Sequence, residues 1–129
     1  MARKKIEHVG VMVKDIDASV RFYKEVVGLE LKGRLDHPNG VIQLAFLGFG
    51  QQAETELELI QGYNEGLPAE GKVHHIAFTV DDIEEEFARI KELDVRLIDQ
   101  EITTLPNGSR YFFFYGPDGE WIEFFQSTR

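Results

Sequence analysis

Cysteine is absent from this 129-residue chain. That rules out disulfides, thiolate nucleophiles and cysteine-ligated zinc. Any metal site must therefore be built from imidazole, carboxylate, amide or water. Positive charge is scarce: 14 Lys and Arg stand against 23 Asp and Glu, a formal net charge of −9. Phosphate backbones repel such a chain, so nucleic acid is not expected as a partner. No segment approaches the roughly 18 apolar residues of a membrane span. The basic start Met1-Ala-Arg-Lys-Lys5 is not followed by the apolar stretch of a secretory signal. No membrane partner is expected, and the cytoplasm is the expected location.

What remains is an ordinary soluble composition, 43% hydrophobic with ten Phe, four Tyr and one Trp, too apolar and aromatic for disorder. At this length one domain, 1–129, is expected. The single candidate for an internal seam is the Gly/Pro/polar stretch from Gly62 to Lys72. Residues 6–13 (IEHVGVMV) alternate as a strand does, with Val9, Val11 and Val13 on the face that should meet a helix and His8, Gly10 and Met12 on the other. Asp15 is placed to cap a helix over 16–27 with Ile16, Val20, Tyr23 and Val27 inward, ended by Gly28. Strands are expected near 29–35, 41–48 and 55–61, the first two joined by the turn-forming run Asp36-His-Pro-Asn-Gly40.

The pattern then starts again. His75-Ile-Ala-Phe-Thr-Val80 repeats His8-Val-Gly-Val-Met-Val13, and Asp82-Ile83 repeats Asp15-Ile16 at the start of a second helix over 83–93. Strands follow near 95–101, 110–115 and 121–126, and Ile122-Glu-Phe-Phe-Gln126 repeats Leu57-Glu-Leu-Ile-Gln61. Two copies of one βαβββ unit, 6–62 and 73–126, thus fill the chain, and the fold class is α+β.

The repeat sets four candidate ligands in two equivalent pairs, His8 with Glu58 and His75 with Glu123. His8 and His75 each point away from the apolar stripe of their strand. Glu58 lies opposite Leu57 and Leu59, and Glu123 opposite Ile122 and Phe124. If each half curls its sheet about a common axis, forming a cup, the four side chains converge. A buried carboxylate is costly unless paired or bound to a cation, and Glu123, set among large apolar residues, is the clearer case. Two imidazoles and two carboxylates suit a divalent transition metal (Zn, Ni, Co, Fe or Mn) with positions left for water or substrate. A single strand histidine is more often packed or solvated than ligating; it is recurrence in register that distinguishes these. His74 should point to the opposite face from His75 and serve packing or surface. His37 should be exposed in its turn, and Glu56 should be solvated.

These residues resemble the vicinal oxygen chelate superfamily, which includes glyoxalase I (lactoylglutathione lyase), methylmalonyl-CoA epimerase, extradiol dioxygenases, and fosfomycin and bleomycin resistance proteins. The resemblance rests on His8-Val-Gly-Val, Asp15-Ile-Asp-Ala-Ser-Val-Arg-Phe-Tyr23, Gly28-Leu-Glu-Leu31, Leu57-Glu-Leu-Ile60, His75-Ile-Ala-Phe-Thr-Val-Asp-Asp-Ile83 and Pro117-Asp-Gly-Glu-Trp-Ile-Glu123. It implies paired βαβββ modules, a homodimer, and His8, Glu58, His75 and Glu123 as metal ligands, in some members drawn from two chains. The complete quartet and the Pro117–Glu123 ending look more like glyoxalase I than the epimerase, although His74–Ile83 has epimerase-like features.

The implied chemistry is proton transfer on a small thiol-conjugated 2-oxoaldehyde. The cation would stabilise enediolate charge on adjacent oxygens, with Glu123 as base and Glu58 as the second candidate. Arg110, Trp121 and Phe125, with Tyr111 and Phe113, are candidates for an apolar substrate wall bearing one cation. An epimerase, a ring-cleaving dioxygenase and a drug-binding resistance protein remain alternatives.

Overall fold

A strand that alternates apolar and polar residues buries one face, and a helix with apolar positions three and four apart can cover it. The computed structural model of the chain, which describes residues 3, 5–64, 66–68, 71 and 73–128, contains that arrangement twice. It divides into two compact units, Met1–Leu67 and Pro68–Arg129. In the first, β1 (His8–Val13) leads into α1 (Ile16–Phe22), then β2 (Glu30–Asp36), β3 (Gln43–Gly48) and β4 (Glu56–Gln61). The sheet order is β1-β4-β3-β2, with β1 parallel to β4 and the other pairs antiparallel. In the second, β5 (Ile76–Thr79), α2 (Ile83–Glu92), β6 (Thr103–Thr104), β7 (Arg110–Tyr115) and β8 (Trp121–Gln126) give the order β5-β8-β7-β6, again with the outer pair β5 and β8 parallel. Two four-stranded mixed sheets with two helices make the α+β class read from the repeat.

Each helix packs on the two central strands of its own sheet. In the first unit Ile16, Val20, Tyr23, Ala45, Leu47, Leu57 and Leu59 are buried there. In the second, Phe112, Phe114, Phe124 and Ile122 are buried against Ile83 and Ile90. The Phe112–Phe124 and Phe114–Phe124 rings meet edge to face at 5.7 and 4.9 Å, a favourable aromatic geometry. Among the described residues no helix is long and apolar enough to cross a membrane.

Both helix starts are built alike. Asp15 and Asp82 sit in extended backbone and accept from Ala18 N and Glu85 N, each at 3.2 Å, as N-cap residues do. One residue on, the N–H of Ile16 donates to Gln61 Oε1 and that of Ile83 to Gln126 Oε1, both at 2.7 Å. The glutamine ending the strand parallel to β1 or β5 thus satisfies an orphan donor of the helix that follows.

Three local expectations are corrected. The first helix does not stay α-helical to residue 27: after Phe22 it widens into a π-helical turn, Tyr23–Val27, closed by Gly28 at φ 93°. The wider turn breaks the 3.6-residue period, so Val26 rather than Val27 is buried with Tyr23. The strand expected over 95–101 is irregular. Leu97 makes one bridge to Phe114, and the Asp99 carboxylate accepts Phe113 N at 2.8 Å, taking the place of a ladder carbonyl. The sheet edge is carried instead by β6. Finally, the Val9/Val11/Val13 stripe is covered only at one end, Val13 being 1% exposed and Val9 40%.

The glutamine buttress is testable. Gln126→Leu strands the Ile83 N–H and should lower the unfolding free energy by about 1–2 kcal/mol, read as a lower urea midpoint with an unchanged slope. Gln126→Glu, which keeps an acceptor, should lose less.

Candidate active site

The parallel pairing of β1 with β4 sets Gly10 opposite Glu58, and that of β5 with β8 sets Ala77 opposite Glu123. A histidine two residues before the first member of each pair lies on the same face and reaches diagonally to the carboxylate. His8 Nε2 stands 3.6 Å from Glu58 Oε1, and His75 Nε2 3.2 Å from Glu123 Oε1. The antiparallel neighbour adds an aromatic ring in each unit. Phe46 faces Glu58 and Phe113 faces Glu123 across the ladder. The rings meet His8 and His75 edge-on at 6.4 and 5.0 Å.

The two pairs differ in environment. The Glu58 side chain is 14% exposed and that of Glu123 9%, while the imidazoles are 42% and 35% exposed. Burial pushes the Glu123 carboxyl above its ordinary range. The neighbouring His75 pulls it back, and the Asp99 charge adds to the rise. His8 is shifted upward, chiefly by the hydrogen bond of its Nδ1 to Glu7 Oε1 at 2.7 Å, with Glu58 and Glu56 adding to it. Trp121 and Phe125 flank Glu123 on β8 and share its face. Trp121 touches Phe113 at 5.5 Å, and Phe125 stacks on Tyr111 at 6.3 Å. Glu123 and Phe125 open, with Ala77 and Thr79, onto a cavity of about 570 Å³ within the second unit.

The structure brings His8 to Glu58 and His75 to Glu123, with Trp121 and Phe125 on the same face of β8 as Glu123. It does not bring Arg110 to that face. Arg110 alternates with Tyr111 and so shares the side of Phe112 and Phe114, where its guanidinium pairs with Glu84 of α2 at 2.5 Å. His74, read as packing or surface, in fact contacts the site: its Nδ1 lies 2.9 Å from His75 Nδ1 and its ring meets Trp121 at 5.0 Å. His37 is exposed in its turn, as expected, and Glu56 is half-buried rather than fully solvated. The sequence reading passed over Phe46 and Asp99. Phe46 carried a signal, because it stands 67 residues before Phe113, the offset of the histidines. Asp99 carried none, since its role depends on the irregular pairing of its segment with β7.

The family model of the Glyoxalase/Bleomycin resistance protein/Dioxygenase superfamily matches residues 5–124. The chain belongs to that superfamily. Among its relatives, YwbC of Bacillus subtilis (strain 168), itself uncharacterized, is 63% identical over 95% of this chain and 98% of its own. Lactoylglutathione lyase of Neisseria meningitidis serogroup B is 34% identical over 92% of this chain and 88% of its own. Among solved structures, the trypanothione-dependent glyoxalase I of Leishmania major superposes with a TM-score of 0.79 at 29% identity, covering 96% of this chain and 87% of the other.

In this glyoxalase-superfamily chain the residues present fit a divalent metal. Two ligand atoms about 2.1 Å from one ion at a right angle stand about 3 Å apart, close to the 3.6 and 3.2 Å observed. With Nδ1 donating to Glu7, the neutral His8 ring turns its Nε2 lone pair toward a carboxylate at a distance too long for a good hydrogen bond. A cation reconciles two such acceptors. Among the described residues no group of three or more His, Asp or Glu is gathered at metal-binding spacing; the donors stand as a pair in each unit.

The raised carboxyl of Glu123 has a consequence for stability. A carboxyl whose folded pKa exceeds its unfolded one makes the folded state bind more protons, so stability falls as pH rises through that interval and stays lower above it. With chelator present, Glu123→Gln should therefore be more stable than the parent at pH 7, and the difference should vanish below about pH 4. Urea titrations at the two pH values measure it.

Proposed function

We propose that this chain is a metal-dependent glyoxalase-like lyase that isomerises the adduct of a thiol with a small 2-oxoaldehyde to a hydroxyacyl thioester. In this reading His8, Glu58, His75 and Glu123 are its metal ligands. The observation that carries the proposal is Glu123: a residue 7% exposed, its carboxyl raised by burial and touched by an imidazole, opening with Ala77, Thr79 and Phe125 onto a cavity. The likeness to lactoylglutathione lyase and to a glyoxalase I supports the reaction class.

When bound, a divalent cation supplies Lewis-acid stabilisation of negative charge on adjacent substrate oxygens. The chain's residues do the rest. Glu123 takes the proton from the carbon bearing sulfur and hydroxyl and returns it to the neighbouring carbonyl carbon, while the hydroxyl proton passes to the neighbouring oxygen, so the hydroxyl carbon becomes the thioester carbonyl and the adduct is isomerised with no atom gained or lost. A base must reach the proton geometrically before its proton affinity matters, and Glu123 stands at the open edge of the cavity. Phe113, Trp121 and Phe125 shed water from that side and give the substrate's apolar part a surface to cover. Glu58, at the equivalent position, is the second carboxylate of the ligand set.

Glu123→Gln should lower kcat by about 10²- to 10⁴-fold while purified protein still takes up metal, measured by adduct isomerisation across several thiols beside elemental analysis. Full turnover in that variant would remove Glu123 as the base. Oxygen uptake with catechols would favour the ring-cleaving reading instead, and tight drug binding without stoichiometric metal the sequestering one.

A further inference from the structure

Each histidine of the two pairs is held at its other ring nitrogen by the residue immediately before it. Glu7 Oε1 is 2.7 Å from His8 Nδ1, and His74 Nδ1 is 2.9 Å from His75 Nδ1. Glu7 and His74 occupy equivalent places in the repeat yet are chemically unlike, a carboxylate in one unit and an imidazole in the other. An ionised carboxylate only accepts, so the His8 proton must sit on Nδ1. One of the two imidazole nitrogens facing each other across 2.9 Å must be protonated and the other not.

We propose that Glu7 and His74 are positioning residues that accept the Nδ1 protons of His8 and His75 and so leave both Nε2 lone pairs aimed at the carboxylates. The proposal rests on the reading of His8 and His75 as metal ligands and extends it to a pair of residues that touch neither metal nor substrate. Adjacent strand residues ordinarily point to opposite faces, but Glu7 directly precedes β1 and His74 lies two residues before β5, where strand alternation no longer fixes the side chain, even though the Glu7 carbonyl still accepts Glu56 N at 3.1 Å. His74 is further fixed by the edge of Trp121 at 5.0 Å. Outer partners of this kind set the tautomer and the ring orientation of a ligating histidine and raise its basicity.

The test is metal affinity, by competition of Zn²⁺ with a chromogenic chelator at fixed pH, together with the visible absorption of the Co²⁺ form. Glu7→Ala and His74→Ala should each weaken binding by about 10- to 100-fold and shift the Co²⁺ bands. Glu7→Gln and His74→Gln, which restore an acceptor oxygen, should recover most of that loss. Both positions are exposed, so metal-free melting should be unchanged in all four variants. His8→Ala and His75→Ala serve as references. If these two lose binding while Glu7→Ala and His74→Ala match the parent, the positioning role is overturned and the ligand reading stands. If His8→Ala and His75→Ala also bind as the parent does, the ligand reading falls and the positioning role falls with it.

Discussion

The site depends on the register of two parallel strand pairs. Because Gly10 lies opposite Glu58 and Ala77 opposite Glu123, the histidine two positions upstream meets the carboxylate on one face. A slip of one residue would send every side chain of the strand to the other side. Several devices defend that register. The buried Leu57 and Leu59 must face α1, and Ile122 and Phe124 must face α2. Gln61 and Gln126 then tie the end of the same strand to the start of the helix. The core that stabilises each unit and the His/Glu pair lie on the two faces of one strand.

Duplication has produced equivalent positions with unequal surroundings. In the first unit Gly10 leaves room for the carboxylate: a Cβ there would stand 3.2 Å from Glu58 Oε1 and 3.1 Å from Ile60 Cδ1. In the second unit Ala77 fills that position, and Glu123 is enclosed by Phe113, Trp121 and Phe125 and feels the charge of Asp99. Both imidazoles are partly exposed, and the carboxylates differ: Glu58 is part-buried and Glu123 buried. Two carboxylates at equivalent positions thus meet different surroundings, and only the enclosed Glu123 has its carboxyl raised by burial.

How much of this was legible in the residues follows from the range of the interactions involved. The pairs His8/Glu58 and His75/Glu123 came from two local signals, alternation along a strand and recurrence at a fixed offset, and neither needs a long-range contact. The caps Asp15 and Asp82 were legible for the same reason. Arg110 was misleading because a cation beside aromatic residues resembles a binding wall in one dimension. Its face is set by alternation from Glu123's strand neighbour, and its charge was claimed by Glu84, 26 residues away. His74 is exposed and packs on Trp121, but it does not turn away from His75, because strand alternation does not extend to it two residues before β5.

By itself, then, the amino-acid order determined the duplicated βαβββ pattern, the helix-facing and site-facing sets of each strand, and the residue types able to ligate a cation, because apolar periodicity and capping act over a few residues. Only the tertiary structure decided which strands are neighbours in each sheet, how deeply Glu123 is buried, that Asp99 replaces a strand partner of Phe113, and that Glu7 and His74 hold the outer nitrogens of the two imidazoles. Burial and hydrogen-bond partnership are properties of chain segments brought together across dozens of residues, and no local pattern encodes them.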